Sequence, residues 1–122
     1  MNNSKSNFAD VFRDRTKAFA ISVIKICREL PRSREFNIIS YQLLRSSTSV
    51  ASNYRAACRA RSTKEFYAKL CIVVEEADEC IFWLELLMEL EGNKNGIKIL
   101  MQEGKEILYI SAKSKKTTGG SL

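Results

Sequence analysis

The stretch from Gln42 to Phe66 constrains the fold more than any other. Leu43, Ser46, Val50 and Ala57 recur there at the three-and-four spacing of one helical face. Small residues on or beside that face (Ser46, Ser49, Ala56, Ala57) let a second helix approach closely, and Gln42, Arg45 and Asn53 bring polar groups to the same side. Ser62 and Glu65 then form an S-x-x-E pattern, the mark of a new helix start. This stretch therefore predicts a helix, a tight turn and a second helix packed back against the first.

The rest of the chain supplies the remaining partners. Phe12, Thr16, Phe19, Val23, Ile26 and Leu30 alternate by four and three, with Ala20, Ile24 and Cys27 widening the stripe, which predicts a helix over 8–30. Asn7 is its expected cap, and Pro31 ends it. The second helix is predicted over 37–60. The third runs from Ser62 to Glu91 with Phe66, Leu70, Val73, Ala77, Cys80, Leu84 and Leu87 inward. Gly92-Asn93-Lys94-Asn95-Gly96 is a turn. The fourth helix is predicted over 97–113, with Leu100, Gly104, Ile107, Leu108 and Ser111 inward. Residues 1–6 and 114–122 are read as flexible ends of a single domain spanning 1–122. Four amphipathic helices with short connections predict an all-α, antiparallel up-down-up-down four-helix bundle.

Composition narrows the function. The sequence has no His, which removes Ser-His and Cys-His nucleophiles and every imidazole base. It has no Gly-rich phosphate loop. Cys27, Cys58, Cys71 and Cys80 show no C-x-x-C spacing, so they read as small core residues in a reducing compartment, with no metal and no cofactor expected. No run approaches the roughly 18 apolar residues of a membrane span, and the first ten residues are too polar for a signal peptide. A cytoplasmic protein without enzymatic activity is the expectation.

Charge is unevenly placed. Residues 31–70 hold eight basic residues and two acids, whereas residues 71–91 hold seven acids and no base. Folding the second and third helices together at their turn gathers Arg55, Arg59, Arg61, Lys64 and Lys69 at one end, opposed only by Glu65. Such a cluster suits phosphate contacts with a polyanion, or head-to-tail assembly against an acidic neighbour. Apart from Tyr54 and Tyr67 the cluster is not interleaved with exposed aromatics, so recognition of single strands by base stacking is not expected. Arg45 lies 17 residues before Ser62 and Glu79 lies 17 after it, so the two should stand level. Arg45 is expected to pair with Glu79 or Glu76 and fix the helix register. Asn53 is expected to bond a neighbouring helix, with a place in a lumen or ligand site as the alternative. Phe82 and Trp83 are adjacent, so one of them should meet another subunit.

The run Gln42-Leu43-Leu44-Arg45, Ser49-Val50 and Asn53, followed by Ser62-x-Lys64-Glu65-Phe66, resembles the four-helix proteins encoded in intervening sequences of large-subunit ribosomal RNA genes. The resemblance extends from about Phe12 to Ser111 and includes Trp83-Leu84-Glu85-Leu86-Leu87. It departs from that family's pattern at Ala56 and Ala57, where an acid and a glycine are usual, and at Ile81, where an acid is frequent; Glu79 retains the neighbouring acid. A carboxylate pair at positions 56 and 81 is thus absent here. The resemblance implies a homopentameric ring. It also implies kinship with the accessory variability determinant of diversity-generating retroelements, which works with a reverse transcriptase and its RNA. The leading expectation is an RNA-binding accessory protein using Arg55, Arg59, Arg61, Lys64 and Lys69, joined by Lys113, Lys115 and Lys116. The alternative is a protein–protein assembly module without a nucleic-acid role.

Overall fold

The computed structural model describes residues 4–122, with side chains described from Asn7 onward. The described residues form four α-helices and no strand, an all-α protein. They are α1 (Ser4–Cys27), α2 (Arg34–Cys58), α3 (Thr63–Glu91) and α4 (Ile97–Gly119), with a 3-10 turn at Lys94–Gly96. Each helix packs on the next in sequence; α2 and α4 meet α3 most extensively, and the α1–α4 seam is much smaller than these.

The predicted faces form the core. Phe12, Phe19, Val23 and Ile26 of α1, Leu43 and Val50 of α2, and Leu70, Val73, Leu84 and Leu87 of α3 are buried in one cluster with Leu100 and Ile107 of α4. Burial of one such side chain is worth about 1.5–3 kcal/mol, so this cluster dominates stability. Gly104 of α4 is also buried: a Cβ placed there would stand 3.4 Å from Phe19 Cζ and 3.6 Å from Ile81 Cγ1. Residue 81, often an acid in the family that the sequence resembles, is here a buried isoleucine of this contact.

Helix ends follow capping chemistry. Ser62 Oγ accepts from the Glu65 N–H at 3.1 Å, one half of a capping box. The Glu65 carboxylate accepts instead from the Arg61 N–H, at 3.1 Å. Ser33 caps α2 by accepting from the Phe36 N–H at 3.3 Å, which starts that helix three residues before the predicted Asn37. The α1 helix stops at Cys27 and tightens into i→i−3 bonds, Glu29 N–H to Ile26 O at 3.0 Å and Leu30 N–H to Cys27 O at 3.4 Å. Pro31 disfavours helical backbone at the residue before it, so the last predicted turn is lost. Asn95 sits in the left-handed region at φ 57° between Gly92 and Gly96, also at positive φ, and Asn93 Oδ1 accepts from the Lys98 N–H at 2.8 Å to start α4.

Both chain ends differ from expectation. Residues 4–6 lie in α1, so Asn7 is inside the helix and caps nothing; residues 1–3 lie outside the described residues. The expected tail after Lys113 is helical as far as Gly119. A Cβ at Gly119 would stand 3.1 Å from Tyr67 Cε1, so the last turn of α4 lies close against the start of α3. That contact holds a segment whose own composition promises little helix.

Candidate nucleic-acid interface

The basic residues occupy the end of α2 and the start of α3. Arg55, Arg59, Arg61 and Lys64 are exposed and Lys69 is half-buried. Arg61 meets Glu65 at 3.3 Å, a pair in which the arginine remains 89% exposed. Its backbone N–H, then its guanidinium, hold the Glu65 carboxyl below the usual carboxylate range. Among the described residues, Arg55, Arg59, Lys64 and Lys69 form no ion pair, so no carboxylate within the chain neutralises them at contact distance.

The helical extension of α4 adds to this end. Lys113, Lys115 and Lys116 lie on ordered helix, and Gly119 rests on Tyr67, two positions after Glu65. A groove of about 990 Å³ opens here, bounded by the start of α1, the α2–α3 turn and the end of α4. Phe8, Tyr54, Phe66 and Tyr109 give it an aromatic lining, and Ala57 and Ala60 leave room at its floor. Arg61 and Lys113 reach its rim with Ser62, Thr63 and Thr117; no Asp or Glu lines it. Sequence reasoning missed this groove because two of its four aromatics, Phe8 of α1 and Tyr109 of α4, lie far along the chain from the basic turn.

Tyr54 is buried in the core, where burial above all and the neighbouring Cys58 push its phenol well above the ordinary value. All four cysteines are free. Cys80 is fully buried, its thiol pushed up to about 12 by desolvation, and it donates to Ser46 Oγ at 3.3 Å.

The register residues form a chain of polar contacts between α2 and α3. Arg45 Nε donates to Gln42 Oε1 at 3.2 Å, and its guanidinium meets Glu76 Oε2 at 3.1 Å and Glu79 as well. Trp83 Nε1 donates to the same Glu79 oxygen at 3.1 Å. Arg45 thus reaches both expected acids, and the hydrogen bond to Glu79 is the main reason its pKa is raised. Asn53 does otherwise than expected: its amide donates to Ser49 O at 2.9 Å and Ser49 Oγ at 3.0 Å, within its own helix. A side-chain amide one turn along can satisfy itself locally, so it does not tie α2 to a neighbour. A cross-helix contact absent from the sequence reading joins Arg15 of α1 to Glu103 of α4 through two bonds of 2.7 and 2.8 Å. The residues are 88 positions apart, and no local spacing announces them. Phe82 is 49% exposed, whereas Trp83 is half-buried.

Residues 11–113 match the family model described as 23S rRNA-intervening sequence protein. A crystal structure of a protein with unknown function from the S23 ribosomal protein family of Bacteroides thetaiotaomicron is similar over 86% of this chain and 98% of its own, at 30% identity and a TM-score of 0.78. None of the curated proteins matches.

Proposed function

The chain belongs to the 23S rRNA-intervening sequence protein family, and we propose that it is a non-enzymatic accessory protein that binds structured RNA through phosphate contacts at its basic end. On this reading the helices form an antiparallel up-down-up-down bundle, and subunits assemble as a homopentameric ring in the cytoplasm, without a cofactor. A reverse transcriptase is a candidate partner. The carrying observation is the cluster of unpaired cations at the α2–α3 turn, enlarged by the lysines of α4. Contacts of this kind bind with little sequence preference and weaken steeply with salt.

The exposed Phe82, Leu90 and Ile99, with the acids of α3 near Phe82, favour a second reading as a protein–protein assembly module. Light scattering at low and high salt, with and without a structured RNA, separates the two. A mass shift with RNA at low salt that disappears in the triple variant Arg55→Ala/Arg59→Ala/Arg61→Ala supports RNA binding. A ring indifferent to RNA supports the assembly module.

A further inference from the structure

The groove beside the basic turn has properties that phosphate contacts alone do not need. Phe8 and Tyr109 are 47% and 62% exposed, large apolar rings left in water at the mouth of a cleft. Phe8 is held in place: its ring stacks on Phe12 at 5.9 Å with 9° between planes, and Phe12 in turn meets Tyr54 edge-on at 4.7 Å. An aromatic row thus runs from the core to the surface and ends in the half-exposed ring of Phe8. Two cations and several hydroxyls rim the cleft and no acid lines it. An occupant of matching chemistry has a flat apolar body and an anionic edge.

We propose that this groove takes one unpaired nucleotide of a bound RNA, its base against the rings of Phe8 and Tyr109 and its phosphate on Arg61 and Lys113. The inference rests on the RNA-binding reading and adds to it a preference for bulged or looped RNA over a continuous duplex. Bases stack on aromatic side chains whatever their identity, because every base has a π-face. The groove is therefore expected to select an unpaired base without selecting its sequence. The volume of about 990 Å³ accommodates a nucleotide with solvent to spare. Phe82, an exposed aromatic at a second cleft, has Glu85 and Glu89 beside it, and those carboxylates would repel a phosphate.

The test compares a fully paired RNA hairpin with the same hairpin carrying a single bulged 2-aminopurine, titrated with the full-length protein. The expected result is about tenfold tighter binding of the bulged hairpin, a size set by base–aromatic stacking, with a fluorescence change as the base enters the groove. Tyr109→Ala should abolish the preference and leave paired-hairpin affinity intact. Tyr109→Phe should keep the preference, and Phe82→Ala should leave it unchanged. Equal binding of both hairpins by the unaltered protein overturns the groove assignment while RNA binding stands. Failure to bind either hairpin overturns RNA binding itself. A Tyr109→Ala protein that keeps the preference, or changes its oligomeric mass, also overturns the assignment; the mass change would give the groove to a second copy of the chain. Circular dichroism checks that each variant stays helical.

Discussion

Arg45 on α2 and Glu79 on α3 stand 17 residues either side of Ser62 and meet across the two helices. Glu76, Gln42 and Trp83 complete the contact. The arginine is 39% exposed, so solvent screens the pair and its net contribution is modest. A double-mutant cycle of Arg45→Ala and Glu79→Gln, read by urea unfolding, should give a coupling of about 0.5–1 kcal/mol. A coupling indistinguishable from zero would reduce the contact to geometry without energetic weight.

Gly104 offers a test of packing against propensity. A methyl group at this position meets Phe19 and Ile81 at ordinary contact distance. Gly104→Ala should therefore gain up to about 1 kcal/mol from helix propensity. Gly104→Leu overfills the same space and should lose about 1–3 kcal/mol. Thermal melts of the two variants moving in opposite directions would support the contact; a destabilised Gly104→Ala would show the helices closer than described.

The cysteines should separate by reactivity. Exposed Cys58 is expected to react first with a thiol reagent, and buried Cys80 last, only on unfolding. The Cys80 thiol is raised from 9.0 to about 12 in the folded protein, so the folded state holds its proton longer than the unfolded chain. Its contribution is complete below pH 9 and declines as pH rises from there toward 12. Urea midpoints measured across this range should fall more steeply for the unaltered protein than for Cys80→Ala.

The lysines of α4 should act as sequence-blind phosphate contacts. Lys115→Ala/Lys116→Ala, at positions outside the groove lining, should weaken binding of every RNA to a similar degree and flatten the slope of log affinity against log salt by roughly one to two units. If these substitutions left the slope unchanged, the helical end of α4 would lie outside the bound surface.

The core was legible in the sequence because each helix repeats its buried residues at constant spacing. The Arg45 contact was legible for a related reason: equal offsets from a recognisable cap place two residues level. The end of α4 was not, since Lys-Thr-Thr-Gly-Gly carries no apolar period and its helix leans on Tyr67 from another part of the chain. Asn53 misled because an amide beside a helix face has a local partner as readily as a distant one. Arg15 with Glu103, and the groove itself, join segments with no shared local pattern. The aromatic wall was hidden in this way: inspecting α2 and α3 alone leaves out Phe8 and Tyr109.

Phe8 and Ser121 line one groove, beside the small seam between α1 and α4. The two ends of the described chain thus come to the same place, and the polypeptide is nearly a closed loop. Joining them with a short linker and opening the chain at Asn93–Asn95, in the Gly-Asn turn, would yield a circular permutant with a continuous covalent path over the small α1–α4 seam. Such a molecule would carry its ends away from the basic surface, leaving that surface free of any fused sequence.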